Sequence, residues 1–324
     1  MCERIDHVDI FKSIGIILMI MGHIRFGDVF DHWESAFNMP MFFFISGYLF
    51  NHKTKIEIPF LVFVKNKARS LLIPYIFFGL FHFLLVFIKY RDFSPLLGLI
   101  SINTDNLPIA GALWFLTALF FTDVFYFLLD RYIQNKILFS AIVFLLAVFG
   151  NLCSVILPFE LPFALGPSLV GLGLFHIGNL LKTYENNKII HFFLNLNIFE
   201  LIGIGIVATA LVFLNGPINM RIGFYSIIPL FWINSVLSIS VMISFSKVIL
   251  NVFDNSFIKK WLISIGKNSI VYLCLNQLVI VLLKNSSGEL SAKLLVLLET
   301  LFVLFIVGEF LLKTKLRLII GRKL

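Results

Sequence analysis

The chain alternates long apolar stretches with short polar segments along its whole length. Each stretch holds few charges and is close to the ~20 residues that an α-helix needs to cross a bilayer. Transmembrane β-strands are shorter and alternate apolar with polar residues, which these stretches do not do. The pattern predicts ten membrane-spanning helices, at residues 10–28, 37–51, 71–89, 112–130, 137–156, 162–181, 198–215, 224–246, 268–285 and 293–312.

Composition favours the same fold class. Hydrophobic residues make up 59% of the 324 residues and charged residues only 14%. Soluble domains are about half apolar and about a quarter charged, so a soluble globule does not explain this excess. No Ser/Gly linker or low-complexity tract divides the chain. We therefore expect an all-α polytopic bundle that forms one membrane-embedded domain over residues 1–324, with its chemistry inside the bundle or at its ends.

The basic residues are distributed as a membrane topology requires. The net charge of +8 does not indicate nucleic acid, because Lys and Arg lie in the short segments between apolar stretches. With the N-terminus in the cytoplasm, 20 of the 26 basic residues fall on the cytoplasmic side, as the positive-inside rule expects. This distribution predicts that both termini are cytoplasmic. Six basic residues remain on the outer side: Arg25, Lys89, Arg91, Arg221, Lys284 and Lys293.

The first predicted helix carries a stripe of ionisable side chains. Such groups are costly within a membrane and usually face a cavity or a partner. Lys12 and His23 are 11 positions apart, so they share one helix face and lie about 16 Å apart along the axis. Asp9 lies one turn before Lys12, close to the same face. A neutral imidazole with an ordinary pKa is suited to removing a proton from a hydroxyl.

On the residues alone, a structural role and a catalytic role explain this stripe equally well. Lys12 can extend to the lipid headgroups and pair with Asp9, and His23 can be a hydrogen-bonded packing residue. The three cysteines have no metal-ligand spacing, so no metal site is predicted. Three further ionisable residues, each isolated in an apolar run, are expected to be structural or to line a cavity: His82, Asp123 and His176.

Two segments near the N-terminus carry a family resemblance. In "RIDHVDIFKSIGIILMIMGHI", Lys12 and His23 enclose ten residues. In "FNMPMFFFISGYLF", a Met-Pro start leads into a Phe-rich helix that ends Ser-Gly-Tyr at residues 46–48. Together these segments strongly resemble the start of the acyltransferase-3 family of membrane O-acyltransferases, some of which are called fucose 4-O-acetylase-like.

Later segments match the same family in order. "KNKARSLLIPY" at 65–75 resembles its basic approach to the third helix, "LWFLTALF" at 113–120 its Trp-Phe-Leu span, and "IGKNSIVYLCLNQ" at 265–277 its late Gly-Lys-Asn-Ser element. The chain also departs from the pattern. Asn38 and Asn276 stand where the family often has His, and only Arg69 remains of its frequent Arg-x-x-Arg pair. If both asparagines face the acceptor, the acceptor differs from that of better-known relatives.

The resemblance implies an enzyme that moves an acyl group, usually acetyl, from cytoplasmic acyl-CoA to a hydroxyl of a cell-surface glycan or its lipid-linked precursor. It implies acyl-CoA as a co-substrate, no permanently bound cofactor, membrane lipids as surroundings and a location in the cytoplasmic membrane. His23 would deprotonate the acceptor hydroxyl or briefly carry the acyl group itself. Ser46 and Asn38 would orient groups near the reacting carbonyl.

The phosphates of CoA require cations that face the cytoplasm. The residues expected to bind this donor are Lys12, Arg69, Lys67 and Lys65, although ordinary positive-inside bias explains the last three better on sequence alone. Further residues are expected to line the site: Asp9, Asn38, Ser46, Trp114, Asp123 and Asn276.

A transporter or glycan flippase is the main alternative, because ten helices with scattered polar groups also suit transport. Hydropathy shows no inverted repeat and no pair of Gly/Pro-broken helices in matching halves, which would indicate a midplane transport site. A receptor or scaffold is a weaker alternative, since neither requires the stripe of Lys12 and His23.

Overall fold

The computed structural model describes residues 6–50, 58–101, 110–254, 256–283 and 289–323. These ranges are almost wholly helical, which confirms the all-α fold class. Eight helices within them are long and apolar enough to cross a membrane. They run Asp6–Ile24, Phe60–Tyr90, Gly111–Tyr132, Lys136–Ile156, Pro162–Thr183, Ile198–Asn215, Ile228–Val252 and Leu290–Lys313.

The elements are numbered in chain order. The first five helices are α1 (Asp6–Ile24), α2 (Asp28–Ser35), α3 (Asn38–Tyr48), α4 (Phe60–Lys67) and α5 (Ile73–Tyr90), with a π-helical turn at Ala68–Leu72 between the last two. The next are α6 (Ser94–Ser101), α7 (Trp114–Tyr132), α8 (Lys136–Ile156), α9 (Leu165–Thr183), α10 (Lys188–Leu194) and α11 (Ile198–Asn215). A short antiparallel hairpin follows, with β1 (Ile218–Asn219) and β2 (Phe224–Tyr225). The chain ends with α12 (Ile228–Val252), α13 (Phe257–Lys267), α14 (Ser269–Leu283), α15 (Leu290–Lys313) and a 3-10 turn at Lys315–Leu318.

The predicted span at 37–51 is wrong. In its place α3 has 11 residues, or about 16 Å of helix, which is about half the thickness of a bilayer core. Nearly all of its side chains are buried, including Phe43 and Phe44. Its apolar sequence therefore reflects contact with neighbouring helices. Hydropathy does not distinguish this contact from contact with lipid.

The predicted span at 268–285 is one arm of a bent pair. The axes of α13 and α14 differ by 87° across a break at Asn268. The break falls in the Gly-Lys-Asn-Ser run, where Gly and Asn are poor helix formers and Ser favours a helix start. Together α13 and α14 add at most one span, so the described residues contain eight spans, or nine if the bent pair crosses.

Helix α1 lies at the centre of the bundle, where it contacts α3, α12, α13, α14 and α15. We name the two ends of the bundle after the ends of this helix, as the Asp6 end and the Ile24 end. His7 is close enough to Lys182 and Lys247 to sense their charges, so the last turn of α9 and the second half of α12 lie at the Asp6 end. Lys293 of α15 reaches the Phe26 carbonyl, 3.5 Å away, at the Ile24 end.

Candidate active site

His23 lies in the last turn of α1, half-buried, with its ring against α14. The ring nitrogen Nδ1 is 2.5 Å from Oδ1 of Asn276, which is fully buried. The two residues are 253 positions apart in the chain. Packing of α1 on α14 therefore creates the contact, and the sequence pattern gave no direct sign of it.

The surroundings of Asn276 determine which nitrogen of His23 carries a proton. The Asn276 amide nitrogen donates to the carbonyls of Tyr272 and Leu273, each at 2.8 Å. The amide oxygen is thus the group that faces His23, and a carbonyl oxygen only accepts hydrogen bonds. The Nδ1 of His23 must then donate, and in the neutral ring Nε2 keeps its lone pair. Nε2 is the nitrogen available as a base or nucleophile.

Glu34 lies near the Ile24 end of α1 and was missed by the sequence prediction. This buried carboxylate of α2 lies against Gly22, the residue before His23, and a Cβ on Gly22 would come within 2.9 Å of its Oε2. The Asn38 amide donates to Glu34 Oε1. Asn38 is itself buried, with only 1% of its surface exposed. The sequence signal for this contact was the spacing of four positions between the acid Glu34 and the amide Asn38.

Burial raises the pKa of Glu34 from an ordinary value of 4.5 to about 7, and the hydrogen bond from Asn38 opposes part of this rise. Between these two values the folded protein holds a proton that the unfolded chain releases. Stability is therefore expected to fall as pH rises through this window, by on the order of 3 kcal/mol in total. Thermal unfolding in detergent at stepped pH should show this fall in the wild type and not in Glu34→Gln.

The matched control for this measurement is Glu289→Gln, because Glu289 is exposed. This variant should keep the wild-type pH dependence. If the unfolding temperature falls equally with pH in the wild type and in Glu34→Gln, the pH dependence does not come from Glu34.

Arg221 is a second residue that sequence analysis did not place in the site. It follows β1, and its charge is close enough to act on the His23 ring. Its Nη1 would lie 2.9 Å from a Cβ on Gly111, whose backbone N–H donates to Gln277 Oε1 at 2.8 Å. Arg221 also lines a cavity of about 440 Å³ at the Ile24 end, together with Glu160, Cys153 and Ser154. The cavity thus meets the His23 region at Arg221.

Lys12 and Arg69 lie on the same rim of the bundle, at the Asp6 end. Lys12 Nζ is 3.9 Å from Asp9, and the Asp9 carbonyl packs directly on Gly266 of α13. The C-terminal tail links this point to Arg69, as Arg322 donates to the Lys267 carbonyl at 2.8 Å and Gly321 packs on the Arg69 backbone. Arg69 itself lies in the π-helical turn, a feature that is frequent at functional sites.

The basic segment before the third predicted helix is itself helical, and one of its cations has a partner. Lys67 Nζ lies 2.6 Å from Oδ1 of Asp123 on α7, whose side chain is 1% exposed. This contact supplies the partner that the Asp123 carboxylate needs. Lys67 therefore neutralises Asp123, while Lys65 is exposed to the surroundings.

Replacement of Lys67 by methionine is expected to destabilise the protein by about 2–4 kcal/mol, because it leaves the buried Asp123 charge uncompensated. Thermal unfolding in detergent measures the loss. Lys65→Met is the control and should change stability by about 0.5 kcal/mol or less, since Lys65 is exposed. The double variant Lys67→Met/Asp123→Leu should recover most of the loss, and a double variant as unstable as Lys67→Met would contradict a pairwise role.

The remaining predicted residues make other contacts. The Ser46 hydroxyl donates to the Phe42 carbonyl of its own helix, and Ser46 is about 12 Å along α3 from Asn38. One carbonyl therefore cannot lie beside both residues. Trp114 is buried at the start of α7. His82 Nε2 is 2.9 Å from the Cys274 carbonyl, a helix-to-helix contact that agrees with a structural role.

These features define a class of protein: a multi-span helical membrane protein with an oriented histidine within its central helix. Among the described residues, no three His, Cys, Asp or Glu side chains gather as they would around a metal ion. The model of the acyltransferase-3 family, described as an acyltransferase domain, matches residues 5–312, and the chain belongs to this family. No curated protein matches the chain.

Proposed function

We propose that this acyltransferase-3 family member is a membrane O-acyltransferase that moves an acyl group, acetyl in the first instance, from acyl-CoA to a hydroxyl of a cell-surface glycan or its lipid-linked precursor. The observation that supports this proposal most is the contact between His23 and Asn276. It leaves Nε2 with a lone pair, as general base catalysis requires.

In the proposed step, Nε2 of His23 removes the proton of the acceptor hydroxyl. The hydroxyl oxygen attacks the thioester carbonyl of acyl-CoA and forms the new ester bond, while the carbon–sulfur bond breaks. The leaving thiolate takes the proton from His23 and departs as CoA thiol. His23 is thus neutral before and after each cycle, and Asn276 holds its ring in one orientation throughout.

The donor is proposed to bind at the Asp6 end. Lys12 and Arg69 share this rim, and both suit phosphate, Lys as a point charge and Arg as a fork. Acyl-CoA is cytoplasmic, so this end would face the cytoplasm, in agreement with the charge distribution. The reacting thioester would then reach His23 across about 16 Å of α1. The membrane that holds the protein would be the cytoplasmic membrane.

The acceptor is proposed to approach from the Ile24 end. The cavity of about 440 Å³ there presents Arg221 and Glu160, charged groups that can hydrogen-bond sugar hydroxyls. Glu34 and Asn38 lie at the same end of α1. Asn276 contacts the catalytic histidine, so of the two departures from the family pattern Asn38 is the one proposed to bear on the acceptor.

The proposal is tested with acyl-CoA that carries a label in the acyl group. Purified protein in liposomes is incubated with labelled acetyl-CoA, or succinyl-CoA, and with membrane glycolipids from the native host. We expect alkali-labile label on the glycan and release of CoA thiol in equal amounts. Thiol release without labelled glycan would exclude these acceptors. Movement of unlabelled glycan across the liposome without any label transfer would favour the transporter alternative.

A further inference from the structure

A second and larger cavity lies at the Asp6 end of the bundle, away from His23. Its volume is about 970 Å³, and its walls come from the end of α7, the start of α8 and the end of α9. Ile137 and Tyr184 on its rim are exposed. Pockets of this size typically hold a small ligand. None of the proposed acyl-transfer residues lines it.

The inner wall of this cavity is a buried polar network. His176, which is 2% exposed, has its Nε2 2.9 Å from the Ser140 hydroxyl and its Nδ1 2.9 Å from the Tyr126 hydroxyl. The Ser140 hydroxyl donates to the Lys136 carbonyl at 2.9 Å. It therefore accepts from His176 Nε2–H. The single proton of the Tyr126 hydroxyl lies between two acceptors, His176 Nδ1 and Asn179 Oδ1. His176 is thus hydrogen-bonded at both ring nitrogens, as a structural group in a packed wall is.

The rest of the lining has an apolar part and a charged part. The apolar part is formed by Phe127, Ile133, Ile137, Phe139 and Leu180. The charged part carries Arg131 and Lys136 against one acid, Asp130, which leaves an excess of one positive charge. A ligand that fits both parts has a hydrocarbon chain and a negatively charged head.

The position of the cavity identifies the source of such a ligand. His7, Lys182 and Lys247 show that these helix ends share the level of the first turn of α1. At this level a spanning helix leaves the hydrocarbon core, and lipid phosphates meet Lys and Arg side chains. The ligand of this chemistry that the membrane itself supplies at this depth is an anionic phospholipid.

We propose that the cavity is a binding site for one anionic phospholipid. Its phosphate lies between Arg131 and Lys136, and one of its acyl chains lies along Phe127, Phe139 and Leu180. This inference is independent of the acyl-transfer function.

The bound lipid also has a structural consequence. From the cavity wall the network continues to Asn179, whose Oδ1 is 3.2 Å from the Tyr126 hydroxyl. The Asn179 amide donates to the Phe50 carbonyl at 3.0 Å, just beyond α3. In α3 itself, Gly47 packs directly on the Phe175 backbone, so α3 and α9 are in backbone contact. A lipid that fills the cavity therefore stabilises the segment that ends in Ser-Gly-Tyr.

Native mass spectrometry of the purified full chain tests the proposal. The protein is released from nanodiscs that contain phosphatidylglycerol or phosphatidylcholine, and the retained lipids are counted. We expect one phosphatidylglycerol per chain and a higher unfolding temperature with this lipid, because a ligand that binds only the folded state stabilises it. Equal retention of phosphatidylcholine would overturn the proposal, since it would indicate surrounding membrane lipid alone.

Two kinds of variant locate the site. Arg131→Gln/Lys136→Gln should weaken phosphatidylglycerol binding by about tenfold or more, because each cation contributes to phosphate attraction. Thr183→Trp narrows the cavity from an exposed position, so it should block the chain without affecting folding. The control Lys188→Gln/Lys315→Gln removes two exposed cations outside the cavity and should bind lipid as the wild type does. Wild-type retention by both cavity variants would overturn the proposal.

Discussion

Replacement of His23 by alanine is expected to lower the rate of acyl transfer by about 10²–10⁴-fold, the range that a general base contributes. The folded protein should persist, because the side chain is half-buried and the hydrogen bond it loses in the structure is the one to Asn276. Transfer of labelled acetyl from acetyl-CoA, in membranes at matched protein levels, measures the loss.

The control for this variant is His191→Ala, since His191 is exposed on α10 and lies outside the site. It should transfer acyl groups at the wild-type rate. Lys12→Ala should instead raise KM for acyl-CoA, because Lys12 is proposed to bind the donor and not to react. Wild-type transfer by His23→Ala would contradict the central role of this residue.

Replacement of Asn276 by leucine is expected to lower kcat by about 10²-fold, with little change in KM for either substrate. Leucine is similar in size and cannot accept the Nδ1 proton of His23. The ring is then free to rotate and to carry its proton on Nε2, where it cannot act as a base. A purely structural asparagine would instead affect the amount of folded protein, leaving kcat per folded molecule unchanged.

Two further variants separate orientation from folding. Asn276→His, the residue that the family pattern often has here, can accept the proton through a ring nitrogen and should restore much of the activity. Asn151→Leu removes another buried asparagine, which accepts from the Trp232 indole N–H at 3.0 Å. It should lower stability and leave kcat unchanged. Equal activity of Asn276→Leu and the wild type would remove Asn276 from the mechanism.

Local geometry explains why the sequence identified His23. An α-helix repeats every 3.6 residues, so the positions of Lys12 and His23 alone place both on one face of α1. The structure retains this helix without interruption from Asp6 to Ile24. The Lys12 pairing with Asp9 is also local, one turn apart, and it occurs. The family pattern added the role of His23, which helical spacing does not supply.

Contacts between distant segments explain what the sequence missed. Glu34 lies in α2, outside any predicted span, and reaches the site because Gly22 lets α2 approach α1 closely. Arg221 was counted only as an outer basic residue, and the hairpin carries it to Gly111. Asn276 was expected to line the site, and its partner there is His23. Each of these depends on how two separate helices or turns pack.

The sequence by itself determined that this is a polytopic helical membrane protein, where eight of its spans lie, and that Lys12 and His23 share a face. Hydrophobic length and helical period are local quantities, so no neighbour is needed to deduce them. Only the tertiary structure decided that α3 is an internal helix, that Lys67 neutralises Asp123 and that Asn276 orients His23. Lipid and protein interior are equally apolar, and a polar side chain finds its partner only when the helices pack.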